Sequence, residues 1–321
     1  MHITLISVST ALHLLQHVNA VPAALVPDAV LDVKTTLRYC KKGAILEYSK
    51  EVDLGRQAHL DHLKTVQIPQ PVVIEDIRGF ESQFKWDVHG FSYVRDKVLG
   101  LEECKSDKEY DELLRPAAEE LVKKMHRTNA DAVYAFNSRV RDQDDDMKAG
   151  GRSRTPVPSV HSDFSPESAK ETVKKAIADC ELNSKEVKEF KALAEDENNR
   201  VVILHLWRPL QVIKKNPLAL CDWRSVDIEQ DSHAYRPRGP ERPACIQWSF
   251  NPKNRWYYLN QQGPDEVAMF VQYDSAAKGH MSLPHASFED PNSPSSPARR
   301  SIEVRMIAVF SKGSDMTKKL A

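Results

Sequence analysis

Glycine is scarce in this chain, at 11 of 321 residues. No phosphate loop, dinucleotide fingerprint or G-x-S-x-G nucleophile elbow occurs, so the folds built around those motifs find no support. Cysteine is sparse as well. Cys40, Cys104, Cys180, Cys221 and Cys245 form an odd, scattered set without a C-x-x-C pair, which excludes a disulfide scaffold and a zinc module. Neither sign of charge is in surplus: 45 Lys+Arg stand against 46 Asp+Glu, a formal net charge of −1. A protein built to neutralise nucleic-acid phosphates or to lie on an anionic membrane carries extra cations, and this one does not. No stretch of about 20 residues reads as a clean membrane span. What is present is a hydrophobic content of 41%, enough to bury a sizeable core and to argue against global disorder.

The first residues stand apart. Met1 to Pro27 contains no Asp, Glu, Lys or Arg, and Val18-Asn19-Ala20 resembles a small-residue cleavage site. Against a secretory signal, no basic residue opens the segment, and His13, Gln16 and His17 interrupt its apolar core. The expectation is a cytoplasmic protein with reduced thiols. Secretion is the alternative if residues 1–20 are a signal; a buried N-terminal segment or a misplaced start codon are the others. Residues 1–29 are therefore set aside as an N-terminal segment, 30–311 as one domain with its barrel core mostly in 155–311, and 312–321 as a tail.

Patterning divides the domain. Val30 to Tyr39 and Pro69 to Ile77 read as extended, and Gln57–Val66 as helical. Ser106-Asp107-Lys108-Glu109 is a capping box ahead of a helix, which Pro116 is expected to kink or divide. Ala132 to Phe136 is a short strand. Asp142 to Pro158 is a polar loop holding Asp144-Asp145-Asp146, read as solvated because consecutive aspartates need not converge. Ser165-Pro166 starts the first of two amphipathic helices, near Glu167–Leu182 and Lys185–Glu195. From Arg200 the texture turns to short strands: Val201–Trp207, Leu218–Asp222, Cys245–Phe250, Trp256–Asn260, Glu266–Tyr273 and Ile302–Phe310, with the Pro/Ser-rich Glu289–Ala298 as a loop. This spacing points to a mainly β protein with flanking helices, an antiparallel sandwich or jelly roll.

One constellation carries chemistry: His161-x-Asp163, then His285, then Arg299-x-Ser301. Two neutral imidazoles and a carboxylate on one side of a metal are the donor set of a mononuclear iron(II) oxygenase, which keeps positions open for a cosubstrate and dioxygen. In a strand, residues i and i+2 point the same way, so His161 and Asp163 reach one ion. The third ligand, His285, comes from a distant strand. Arg299 supplies a guanidinium for the far carboxylate of a 2-oxo acid, with the Ser301 hydroxyl on the same strand face. A second H-x-D, His59-Leu60-Asp61, lies in the helical stretch, where i and i+2 diverge by about 200°. The bland reading of His161 and Asp163 is a loop histidine beside a helix cap. Of the twelve histidines, His233 and His280 also occupy plausible positions.

The C-terminal half resembles the fungal hydroxylase/desaturase family of non-haem iron(II) oxygenases, the gibberellin desaturase-like and cephamycin methoxylation protein-like group. The resemblance rests on pieces in order: Val160-His161-Ser162-Asp163, Leu206-Trp207-Arg208-Pro209-Leu210, Asn216 through Asp222, Arg255-Trp256-Tyr257-Tyr258, Pro264-Asp265-Glu266-Val267, Gln272-Tyr273-Asp274-Ser275, Pro284-His285-Ala286-Ser287-Phe288, and Arg299 through Arg305. It implies a double-stranded β-helix, iron(II) held by His161, Asp163 and His285, and 2-oxoglutarate held by Arg299. Two departures stand out. The family usually has an acidic residue where this chain has Arg300, and an asparagine often precedes Trp-Arg-Pro, where this chain has His205-Leu206. Arg300 and Arg305 remain rivals of Arg299 for the cosubstrate.

Three further residues have two readings each. Arg208 contacts a substrate carboxylate or the cosubstrate, or forms a buried pair with an acid such as Asp222. Trp256 and Tyr258, with Tyr257 between them, wall an apolar substrate pocket or belong to the core. The expected activity is hydroxylation or desaturation of a small-molecule secondary metabolite by hydrogen abstraction, with dioxygen and without nucleic acid, membrane or obligate protein partner. The alternative is a jelly-roll protein that binds a small molecule without catalysis, or a degenerate relative. A methyl transferase is disfavoured by the missing glycine-rich loop.

Overall fold

The computed structural model describes residues 32–44, 55–125, 128–142, 154–180, 184–236, 243–277 and 282–312, with residues 55–60 as backbone only. The segment 1–29, His280, the run Asp144-Asp145-Asp146 and residues 313–321 of the tail lie outside them.

Thirteen strands among the described residues form two sheets. In chain order they are β1 (Val33–Cys40), β2 (Gln67–Asp76), β3 (Phe91–Arg95), β4 (Ala132–Asp142), β5 (His161–Ser162), β6 (Arg200–Pro209), β7 (Leu218–Cys221), β8 (Ser232–Tyr235), β9 (Cys245–Trp248), β10 (Trp256–Tyr258), β11 (Glu266–Asp274), β12 (His285–Ser287) and β13 (Arg300–Phe310). The larger sheet runs β1-β2-β10-β7-β12-β5-β9-β8, and the smaller β3-β11-β6-β13-β4. Only the β10–β2 pairing is parallel among the named strands. The architecture is the jelly roll expected from the strand pattern. The first 142 residues supply four of its strands, at or near the sheet edges.

The smaller sheet takes its strength from strands apolar on both faces. β6 reads RVVILHLWRP and is buried from Val202 to Pro209. Its Val202, Leu204 and Leu206 join Ile302, Val304 and Met306 of β13 in a core covered by Tyr110, Leu114, Ala118 and Val122. Those four lie on helix α3 (Asp107–Lys124), following α1 (Gly55–Val66) and α2 (Trp86–His89). Ser106 caps α3 by accepting from the Glu109 N–H, with the return bond from Ser106 to Glu109. Such a cap contributes about 0.5–2 kcal/mol. Asp107 and Glu109 in the first turn and Lys123 and Lys124 in the last suit the helix dipole. Of the kink or division expected at Pro116, division does not occur, since the helix runs through it. Burial of the flanking Leu114 and Ala118 against the sheet offsets the hydrogen bond proline cannot make.

The opposite face of the smaller sheet is shared. At one end Ile203, Ile307 and Val309 pack against α4 (Pro166–Ala178) and α5 (Lys185–Glu195) through Val173, Ile177 and Phe190. At the other end His205, Trp207, Ser301, Glu303 and Arg305 follow by strand alternation, facing the larger sheet. The short helix α6 (Ile228–Asp231) precedes β8.

The larger sheet curls almost shut. β1 returns beside residues adjoining β5 and β9 through bridges from Arg38 to Ser159 and Cys40 to Ser249, and the Val160 N–H donates to the Arg38 carbonyl at 2.8 Å. Tyr39, Trp248, Trp256, Tyr258 and Phe288 fill the enclosed space. Trp256 Nε1 donates to the Tyr39 hydroxyl at 2.8 Å, satisfying a buried indole.

Candidate metal centre

β5 is two residues long and lies between β12 and β9. His161 stands directly opposite His285 in the β5–β12 register. Directly opposed residues on antiparallel strands share a face, and the two rings lie 4.3 Å apart centre to centre. Asp163, two residues beyond His161, turns to the same side. Its Oδ1 is 4.0 Å from His161 Nε2. One ligand atom from each of the three side chains can be chosen so that all lie within 4.8 Å of one another. The chain then leaves the strand at once, because Ser165 caps α4 and Pro166 occupies its first turn.

Both imidazoles are oriented from behind. His161 Nδ1 is 2.8 Å from the Ser159 carbonyl and His285 Nδ1 is 3.3 Å from the Leu283 carbonyl. A carbonyl only accepts, so each Nδ1 carries the proton and each Nε2 keeps its lone pair. Burial pushes His161 down to about 4 and lowers His285 as well, with the neighbouring imidazole adding to the first shift. Both rings are neutral at pH 7, as a metal requires.

Behind Asp163 lies a buried charge network that the sequence reading did not assign. Arg305 Nη2 is 3.2 Å from Asp163 Oδ2, and Arg305 Nε donates to Glu303 Oε1 at 2.8 Å. His205 Nδ1 sits 3.3 Å from Asp163 Oδ2 and 3.5 Å from Glu303 Oε1. It closes no hydrogen bond of good geometry with either. Gln272 Oε1 accepts the Asp163 N–H at 2.6 Å. Burial pushes Asp163 up, but the permanently charged Arg305 outweighs it and holds the carboxyl below the usual range. Burial likewise pushes Glu303 up, and Arg305 brings it down to about 2.

Arg299 differs from its two rivals. The residue is 4% exposed, and its guanidinium donates from Nη1 to the Asn216 carbonyl at 2.8 Å and lies over the Trp207 ring. Among the described residues it makes no ion pair, and its Nε has no hydrogen-bond partner. Burial, then the nearby Arg141, pushes it down to about 9. Ser301, two residues on, is fully buried with an unpartnered Oγ. Arg305 is taken up by two carboxylates, and Arg300 pairs outward with Asp142 at 2.9 Å.

For Arg208, Trp256 and Tyr258 the structure fits the buried-pair and core readings rather than contact with substrate. Arg208 is on the α3 side of β6, in step with Leu204 and Leu206, and not on the His205–Trp207 side. It pairs with Asp96 rather than Asp222 and donates to the Pro264 carbonyl at 2.9 Å; Asp222 is held by Arg224 and Arg255. Trp256 and Tyr258 point into the curled sheet's own core. The residue between them, Tyr257, faces the site with Phe91, Trp207, Leu220 and Phe270, and Phe270 lies 5.0 Å from the His285 ring. The site is the gap between the sheets. A separate groove of about 280 Å³, lined by residues including Thr35, Arg38, Pro69 and Glu289, contains none of the three clustered side chains.

A pH prediction follows. His161 and His205 are both pushed down by burial to about 4, whereas in the unfolded chain they titrate near the ordinary histidine value of 6.5. Between those values the unfolded state binds protons that the folded state does not. The metal-free protein should therefore lose stability as pH falls from 6.5 toward 4, by up to ~1.4 kcal/mol per pH unit for each imidazole. Above pH 6.5 these groups contribute no slope. Urea midpoints that stay level from pH 7 to 5 contradict this.

A family model described as an oxidoreductase/YMDC permease-like domain matches residues 37–310. The chain is 30% identical over 298 residues to the hydroxylase/desaturase efuI of Hormonema carpetanum, spanning 83% of this chain and 94% of that protein. It is 29% identical over 252 residues to the Fe(II)/2-oxoglutarate-dependent dioxygenase nvfI of Aspergillus novofumigatus, spanning 74% and 83%. A solved variant of the iron and alpha-ketoglutarate-dependent endoperoxidase NvfI superposes with a TM-score of 0.69 at 24% identity, over 88% of this chain and 100% of that one. The fold is shared. Among the described residues no helix is long and apolar enough to cross a membrane.

Proposed function

The chain belongs to the fungal hydroxylase/desaturase family, and from that premise we propose that it is an iron(II)- and 2-oxoglutarate-dependent oxygenase acting on a small-molecule secondary metabolite. The observation that carries the reading is the cluster of His161, Asp163 and His285, His285 buried and the other two largely so, beside a buried Arg299 that makes no ion pair among the described residues. The donor set suits iron(II): two neutral imidazoles with fixed tautomers and one carboxylate held anionic. The orphaned Arg299 Nε and Ser301 Oγ suit the second carboxylate of a keto-diacid, since buried donor atoms left without partners otherwise only cost stability.

The roles of the chain's own groups follow. His161 and His285 present Nε2, and the Ser159 and Leu283 carbonyls stop their rings from turning. Asp163 offers Oδ1 while Arg305 holds Oδ2. Arg299 and Ser301 grip the cosubstrate's far end, with Trp207 and the Asn216 carbonyl fixing the guanidinium. Phe91, Tyr257 and Phe270 form an apolar wall that excludes water and receives a small molecule. Iron(II), 2-oxoglutarate and dioxygen together supply the oxidising power to remove hydrogen from an unactivated carbon, giving an alcohol or an alkene. We take residues 30–311 as the oxygenase domain. The five free cysteines suit a reducing, cytoplasmic setting.

The test is succinate formation from 2-oxoglutarate with iron(II), first without substrate and then against a metabolite panel. Arg299→Leu should raise the 2-oxoglutarate KM by about a hundredfold, as expected for loss of a buried charge-assisted contact. Its affinity for the metal alone should change little. If Arg305→Leu weakens cosubstrate binding and Arg299→Leu does not, the arginine assignment is wrong. Absence of both metal binding and succinate would overturn the function.

A further inference from the structure

Asp163 lies one residue past the end of β5, so the strand ladder does not fix its side chain. Its N–H is tied to Gln272, but the carboxylate's orientation depends on what surrounds it. Oδ1 and Oδ2 have different neighbours. Oδ2 faces Arg305 Nη2 at 3.2 Å and His205 Nδ1 at 3.3 Å. Oδ1 faces His161. The two oxygens are told apart by their surroundings: the Arg305 guanidinium donates to Oδ2 and the His205 ring abuts it, and neither reaches Oδ1.

His205 is the unexpected member. It is fully buried in the middle of the central strand of the smaller sheet, in a run that is otherwise Val, Ile, Leu and Trp. Its ring is wedged edge-on, 5.9 Å from Phe164 at 83° and 5.4 Å from Phe270 at 65°. That packing leaves the ring little freedom. Nδ1 lies between Asp163 and Glu303, while Glu303 in turn is bound by Arg305. An apolar residue would fill this position without a buried, unpartnered imidazole. The imidazole therefore has a use that packing alone does not supply.

We infer that His205 is a positioning residue that, with Arg305, draws Oδ2 of Asp163 away from the centre and so presents Oδ1 to a divalent cation. The inference rests on the proposed ligand role of Asp163. Groups behind a ligating side chain set its orientation, and their loss typically costs about 10–100-fold in metal affinity. A further consequence is a division of labour along one strand. Ser301 would serve the cosubstrate, whereas Glu303 and Arg305 serve Asp163.

The experiment measures Co(II) and Fe(II) dissociation constants anaerobically, by titration of Co(II) absorption and by calorimetry, on wild type, Asp163→Ala, His205→Leu and His205→Asn. Folding is checked by thermal melting. Asp163→Ala should lose metal binding. His205→Leu should weaken it by about tenfold or more and shift the Co(II) visible bands, because the carboxylate is no longer held in one orientation. His205→Asn keeps a donor with a shorter reach and should fall between. At saturating metal, 2-oxoglutarate affinity should stay close to wild type. A purely packing role would move the melting temperature and leave the metal constant unchanged. A folded His205→Leu binding metal as wild type overturns the inference alone; should that variant not fold, a His205→Asn with wild-type affinity does so. Wild type that binds neither metal overturns the ligand set beneath it.

Discussion

Asp163→Asn is expected to lower turnover at least about a thousandfold, a barrier increase of roughly 4 kcal/mol, while leaving the protein folded. Asparagine keeps the shape, so the Gln272 contact to the backbone survives and Arg305 still finds an oxygen in front of it. What is lost is the only anionic member of the triad. His161 and His285 remain correctly turned, each with Nδ1 held by a carbonyl, yet two neutral imidazoles alone bind a ferrous ion weakly. Substrate-free succinate formation should fall in parallel with product formation. That parallel separates a metal defect from a misplaced substrate, which would spare the uncoupled reaction. If Asp163→Asn keeps wild-type iron affinity and turnover, the ligand is another carboxylate, and Glu303 is the neighbour to test. It forms the alternative cluster with Asp163 and His205.

The strands, the paired helices and the H-x-D run were legible because each rests on local pattern. The i, i+2 spacing of His161 and Asp163 and the capping box at Ser106 depend on neighbours in the chain. The faces of strands buried on both sides were not legible. In Val-Val-Ile-Leu-His-Leu-Trp-Arg-Pro every position from Val202 is covered, so nothing in the pattern says whether the Leu206–Arg208 face or the His205–Trp207 face meets the site. The same ambiguity left Trp256 and Tyr258 between pocket and core; the sheet's curl turns them into its own core and leaves Tyr257 facing the site. β13 inverted the usual rule. Ser301, Glu303 and Arg305 alternate with Ile302, Val304 and Met306, which reads as a strand with one wet face. The second sheet covers that polar face, and a half-polar strand buried on both sides marks a site. The detectable signal for His205 was a lone histidine inside an apolar run, but its partners Asp163 and Glu303 come from other strands and no local pattern joins them.

Arg305→Met is expected to destabilise the metal-free protein by about 3–5 kcal/mol, the range for breaking a buried ion pair by removing one partner. Arg305 is the cation shared by Asp163 and Glu303, whose oxygens flank His205 Nδ1. Without it, two buried carboxylates face each other across a neutral imidazole. One escape is protonation, which fixes the sign of the pH effect. In wild type Glu303 is brought from the ordinary value of 4.5 to about 2. It thus contributes stability that is present above pH 4.5 and lost as pH falls toward 2. The variant forfeits that contribution, so the gap between the two proteins should be widest near pH 7 and narrow on acidification below 4.5. Urea unfolding at pH 7 and pH 4 reads it directly. A divalent cation supplies the missing charge at Asp163, so saturating Co(II) should recover part of the loss in the variant and raise its melting temperature more than that of wild type. A gap below about 1 kcal/mol at pH 7 would mean that the carboxylates are held by something other than Arg305.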